Sequence, residues 1–250
     1  ANASTTSTPA TSSEPPTRML QALRDRHPGS SVLGVIFFDV CRLTSALVLK
    51  LGFGLTTHNI ERVPRSGPLL IVSNHQSYLD PPIVGCRVRG RQLDFLARDT
   101  LFAGPISSRF LRGLHCIPVS RGDADVGSLK ECLARLKNGC AVLIFPEGTR
   151  SADGEIQPFK RGVSLMIKRA KCPVLPAAIE GADTAWPRGG KPRPFRHKIH
   201  VAYGEPIEHA DLIKDGPDRA IERLEHEVRA LQAELRSKIG HDEGQGAPEA

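Results

Sequence analysis

The run S-N-H-Q-S-Y-L-D-P-P, residues 73 to 82, carries the first side chains whose types and spacing could do chemistry, His75 and Asp80. An imidazole can take a proton from a hydroxyl near neutral pH, and a carboxylate beside it fixes the ring tautomer and stabilises the imidazolium that forms. On one continuous helix the two residues would point about 140° apart, so the pair can meet only across a turn. A strand ending at Ser73, a turn and a helix opening at Pro81 would supply it. The same Asp-Pro step is also an ordinary helix start, with Asp80 as N-cap and Pro81 at the first helical position, and that reading needs no catalysis.

A second cluster is F-P-E-G-T-R-S, residues 145 to 151, after an apolar run that reads as a strand. Ligands of open α/β sheets collect beyond the carboxyl ends of the strands. There Gly148 allows close backbone approach, Arg150 offers a fork of donors to a phosphate, and Glu147 can orient a substrate or hold the loop. Thr149 lies in the same loop, and Lys160 in P-F-K-R-G could bring a second cation to the same mouth. A surface turn with an exposed ion pair would look similar. In C-I-P-V-S-R-G-D, Arg121 follows another strand-like run and could share an anion with Arg150, or be a solvated surface side chain.

Taken together, these segments resemble a known family. N-H-Q-S-Y-L-D, the Arg121 segment, F-P-E-G-T-R-S and V-L-P-A-A-I-E-G (174 to 181) are similar, in order, to the four blocks of the glycerolipid acyltransferases, and most of all to the 1-acyl-sn-glycerol-3-phosphate acyltransferases. The likeness runs from about Leu51 to Ile207, with Arg98 where a lysine is common. It implies that His75 is the general base, that Asp80 is its partner, and that Arg121, Glu147, Gly148, Thr149, Arg150 and Lys160 surround the acceptor phosphate. The implied reaction moves a fatty acyl group from an acyl-CoA or acyl carrier protein thioester to lysophosphatidic acid, giving phosphatidic acid at a phospholipid membrane surface. A thioester is already activated, so this chemistry needs neither an enzyme nucleophile nor a metal, and no cofactor is expected.

Elements must hold these residues in place. Strand-like runs at 69–73, 93–97, 115–119, 141–146, 174–179 and 198–203 alternate with helical patterns. That alternation predicts an α/β fold, with a mixed, largely parallel central sheet flanked by helices. Val126, Leu129, Leu133 and Leu136 mark a helix ending near Gly139, and Ile221 to Ile239 mark the apolar face of a long helix from Pro217 or Asp218. Residues 1–17 and 241–250 read as disordered tails, 18–58 as an apolar membrane-associating segment, and 59–240 as the acyltransferase domain.

Within that N-terminal segment, Val32 to Leu55 is strongly apolar but carries Asp39, Arg42 and Lys50 on one stripe. A transmembrane span rarely accepts such charges. The pattern predicts a helix or helical hairpin lying in the bilayer interface, with a core helix as the alternative. The opening residues show no basic and then apolar signal pattern, and cysteines scattered in apolar runs suit a reducing compartment, so a cytoplasmic face is expected.

Composition narrows the partners. A formal charge of +7 favours an anionic one, but aromatic residues are 5% of the chain and stand apart from the basic clusters, which argues against nucleic acid. The six cysteines have neither C-x-x-C spacing nor a histidine at metal-ligand spacing beside them, so zinc is not expected. A hydrolase would need a nucleophile, and no G-x-S-x-G elbow occurs. A purely binding protein, using the basic loop 187–198 and the apolar helix, would have no use for the His75-Asp80 spacing.

Overall fold

The computed structural model describes residues 21, 25–120 and 126–244. Seven strands form one sheet: β1 (Thr56–His58), β2 (Leu69–Ser73), β3 (Leu93–Arg98), β4 (Cys116–Val119), β5 (Ala141–Ile144), β6 (Val174–Glu180) and β7 (His200–Tyr203), in the order β1-β7-β6-β2-β5-β3-β4. β6, β2, β5, β3 and β4 run parallel; β7 is antiparallel to β6, and β1 runs with β7. The mixed, largely parallel α/β fold expected from the alternation is therefore present. β1 is an addition: three residues of intermediate burial, without an apolar run to mark them, belong to the sheet rather than to the N-terminal segment.

Central strands such as β2, L-L-I-V-S, are buried on both faces, which is why they read as unbroken apolar runs. Their alternate residues feed two cores. Leu70 and Val72 join the side covered by α4 (Val126–Lys137), α5 (Gly162–Ala170), α7 (His209–Ile213) and α8 (Pro217–Gly244). Leu69 and Ile71 join the side covered by α1 (Val32–Phe53), α2 (Asp80–Gly85) and α6 (Ala182–Ala185). α3 (Pro105–Gly113) packs beside α1 and β4. α8 extends to Gly244, so residues 241–244 continue a helix that the sequence pattern ended at 240.

α1 is a single 22-residue helix and not a hairpin. Ser31 caps its start by accepting from the Gly34 N–H at 3.1 Å, and Gly54 ends it in the left-handed region. By length and composition it could cross a membrane. Its polar residues correct the expected picture. Asp39 and Arg42 turn toward the protein, where Asp39 pairs with Arg26 and Arg42 donates to the Cys86 carbonyl at 2.9 Å. Lys50 remains exposed. The exposed side instead carries Leu33, Ile36, Phe37, Val40, Leu43, Leu47, Val48 and Leu51. Phe37 meets Phe110 edge to face at 5.9 Å, which continues the apolar face onto exposed Ile106 and Phe110 of α3.

A buried polar cluster fastens the start of this helix. His27 bonds Asp94 at 2.6 Å and Ser30 at 2.9 Å, and its ring stacks on His115 at 3.7 Å. Asp94 also pairs with Arg135, and Gln92 joins His115 Nε2 to the Val35 carbonyl. Burial alone would lower the His27 imidazole, but the bonds to Asp94 and Cys140 outweigh it and hold the group up at about 9. His27, Asp94 and His115 come close enough together to suggest cation ligands. Both His27 ring nitrogens, His115 Nε2 and the Asp94 carboxylate already face one another, Ser30, Gln92 and Arg135, which makes the cluster a structural clasp.

Candidate active site

β2 ends at Ser73, and the chain turns through 74–79 before α2 opens at Asp80. Asp80 is the first residue of α2 and Leu79 occupies the N-cap, so Asp80 does not serve its own helix as a capping side chain. Its carboxylate folds back instead. Oδ2 accepts from the backbone N–H of Gln76 at 2.6 Å and of Ser77 at 2.8 Å, and lies 2.6 Å from His75 Nδ1. The turn needed to bring the pair together is therefore present, and it is closed by the carboxylate it presents to the histidine.

With Nδ1 committed to a carboxylate, the proton belongs on Nδ1 and the lone pair on Nε2. The ring lies flat on Phe145, centroids 4.1 Å apart and planes 14° from parallel, and the side chain is 20% exposed. Asp80 is fully buried. The imidazole is thus held by a carboxylate at one nitrogen and an apolar platform beneath, while the other nitrogen can meet a substrate.

Glu147 differs from one of its two expected roles. Oε1 accepts from the His75 backbone N–H at 2.7 Å and Oε2 from the Gln157 N–H at 2.9 Å, and the residue is 2% exposed. Both oxygens face backbone, so Glu147 holds the loop and does not point at a substrate. Burial pushes its carboxyl up to about 7, against the pull of the Gln157 and His75 N–H groups.

Gly148 has φ +66, and a Cβ there would lie 2.8 Å from Lys160 Nζ, so the glycine both makes the turn and lets Lys160 lie across it. Thr149 is half-buried in the same loop. The Arg150 guanidinium sits 3.6 Å from the Tyr78 ring centroid, and its buried Nη1 has no hydrogen-bond partner among the described residues. A buried cationic donor without an acceptor is suited to an anion that arrives. The structure therefore gathers Gly148, Thr149, Arg150 and Lys160 in one loop region, and ties that loop to His75 through Glu147. Arg121 lies outside the described residues.

Several positioning residues carry no individual signal of their own role in the sequence. Asn74 replaces a strand partner, donating to the Ile179 carbonyl at 2.9 Å and accepting from the Ile179 N–H at 2.7 Å. Gln76 accepts from the Ala182 N–H and donates to the Gly154 carbonyl, both at 3.1 Å. Ser151 N–H reaches the His75 carbonyl at 2.7 Å. The signal was three consecutive polar residues emerging directly from a buried strand, where each must find a partner.

The sequence profile of the acyltransferase family matches residues 54–180, just over half of the chain. The chain belongs to the acyltransferase family and is an acyltransferase. It is 29% identical over 202 residues to the 1-acyl-sn-glycerol-3-phosphate acyltransferase of Bacillus subtilis, covering 79% of this chain and 98% of that one. It is 30% identical over 181 residues to a chloroplastic 1-acyl-sn-glycerol-3-phosphate acyltransferase of Brassica napus, covering 70% of this chain and 52% of the relative, about half its length. The crystal structure of the 1-acyl-sn-glycerophosphate acyltransferase of Thermotoga maritima superposes with a TM-score of 0.67, at 24% identity and 82% coverage of each chain, which establishes the shared fold.

Proposed function

We propose that this chain transfers a fatty acyl group from an acyl-CoA or acyl carrier protein thioester to the free hydroxyl of 1-acyl-sn-glycerol-3-phosphate, giving phosphatidic acid for phospholipid synthesis. The observation that carries the reading is the His75-Asp80 pair, joined at 2.6 Å. His75 Nε2 takes the acceptor hydroxyl proton as the oxygen attacks the thioester carbonyl. Asp80 stabilises the imidazolium. The tetrahedral intermediate then collapses, the C–S bond breaks, and the thiol leaves with the proton from His75. No acyl-enzyme forms, and no metal or cofactor takes part.

Arg150, with Arg121, Lys160 and the backbone at Gly148 and Thr149, holds the acceptor phosphate, and the names of the relatives support a phosphate-bearing lysolipid. The exposed face of α1 lies on the cytoplasmic side of the membrane, where both lipid substrates dissolve. Purified protein offered an acyl-CoA with lysophosphatidic acid, glycerol 3-phosphate, lysophosphatidylcholine or monoacylglycerol, with thiol release followed, tests the proposal. Release should depend on lysophosphatidic acid. Acceptor-independent release would make the protein a thioesterase, and preference for another acceptor would overturn the substrate.

A further inference from the structure

We infer that a second anion site lies beside α1, at the ends of the strands opposite His75, and that it takes the phosphate of an anionic phospholipid headgroup. A cavity of about 380 Å³ is lined there by Arg26, Arg42, Arg87, Arg89 and Gly90, with Leu43 and Ala46 of α1 along one wall. One carboxylate, Asp39, answers Arg26 and Arg42. Arg87 and Arg89 are exposed, and four guanidinium groups against one carboxylate leave an excess of three positive charges around the cavity. Arg26 Nε is buried with no hydrogen-bond partner among the described residues. Arginine in such numbers suits planar, multidentate recognition of phosphate.

The site is separate from the catalytic one. Arg91, just after the cavity residues, bonds to the carbonyls of Pro64, Gly67 and Gly139, on the segments that enter β2 and β5. His75 and Arg150 follow the far ends of those strands. β2 alone spans five residues, so roughly 15 Å of strand separates the two ends.

A lipid is the occupant because the cavity opens where the exposed apolar face of α1 stops. Leu43 belongs to both, and Ala46 lies further toward the cavity. A bilayer in contact with that face would bring headgroups to the level of the arginines. The occupant rests on the membrane reading above, but the test measures binding rather than turnover, so it fails or succeeds independently of acyl transfer.

The full chain is sedimented with phosphatidylcholine vesicles with and without phosphatidylglycerol, as wild type, Arg87→Ala/Arg89→Ala, and a charge-matched control, Lys168→Ala/Arg169→Ala on α5. Removal of two basic side chains from an anionic surface should weaken binding to the phosphatidylglycerol vesicles by about tenfold to thirtyfold. Binding to pure phosphatidylcholine should be unchanged, and the control should lose less than about threefold. Titration of each protein with glycerol 3-phosphate, without vesicles, separates sources: binding that Arg87→Ala/Arg89→Ala leaves unchanged belongs to the acceptor-phosphate site, and identifies the lipid as the ligand beside α1. Tight binding lost in Arg87→Ala/Arg89→Ala would assign the site to a free phosphate and overturn the lipid. Equal losses in variant and control, or equal losses on both kinds of vesicle, would overturn the site itself.

Discussion

The backbone N–H of His75 donates to Oε1 of Glu147 at 2.7 Å, so the loop after β5 holds the very peptide that carries the proposed base. An amide at 147 offers one acceptor oxygen and one NH2 group, which cannot serve two backbone donors. Glu147→Gln should lower kcat by about tenfold to a hundredfold, while the acceptor KM moves by less than about threefold. Steady-state constants for both substrates check this.

The same carboxyl has a pH signature. Because burial raises it to about 7, between its ordinary range and pH 7 the folded chain keeps a proton that the unfolded chain has released. Stability therefore falls as pH rises through that window, by up to about 3 kcal/mol. Urea midpoints from pH 4 to 8 should show this decline in the wild type relative to Glu147→Gln.

His75→Ala should lower turnover by about two to four orders of magnitude with the fold intact, as for loss of a general base. Asp80→Asn should be severe too, since the amide keeps the shape but not the charge. Asp80→Ala should in addition cost about 2 to 4 kcal/mol of stability, because the Gln76 and Ser77 N–H groups lose their acceptor. Retention of more than half of the turnover in His75→Ala would remove the mechanism.

Arg150→Ala should raise the acceptor KM more than it lowers kcat, with a loss of about 1.5 to 3 kcal/mol in kcat/KM. Arg150→Lys should recover part of it, because an ammonium lacks both the fork and the flat face laid on Tyr78. Comparing lysophosphatidic acid with monoacylglycerol isolates the phosphate. Equal use of both by the wild type would remove the site's basis.

Val40→Asp/Leu47→Asp should weaken vesicle binding at least about tenfold, since two charges enter the apolar face. Thermal unfolding in solution should change by under about 1 kcal/mol, because both side chains project outward. A large loss of stability would mean that this face is core.

Asp94→Asn should cost about 3 to 5 kcal/mol by breaking a buried pair with His27 and Arg135. The raised His27 imidazole adds stability that is complete below about 6.5 and lost as pH rises through about 9. Melting temperatures of wild type and His27→Gln should converge across that interval.

Where a residue acts through one short-range rule, its role was legible. Apolar runs marked six strands, the five-residue spacing of His75 and Asp80 implied the intervening turn, and heptad-like apolar positions located α4 and α8. What failed depends on long-range partners. β1 has too little apolar character to announce itself and exists because β7 offers an edge. Asp39 and Arg42 stand out in the sequence only as a polar stripe, because nothing local shows that Arg26 and the Cys86 carbonyl would answer them. Glu147 had two open roles, and only the position of the His75 peptide decides between them.

α1 has a consequence for the order in which the chain takes shape. Leu49 and Phe53 are buried in the same core as Leu175 and Tyr203, and the Phe53 and Gly52 carbonyls receive the N–H groups of Ile199 and Phe195. During synthesis the helix emerges well before the residues it must cover, so for most of translation both of its sides are bare. A bilayer can shelter the outward side from the start, whereas the inward side must wait for a segment near residue 200. Cutting the helix away would leave that sheet face uncovered, and the remaining chain would be a sticky intermediate, not a soluble catalytic fragment.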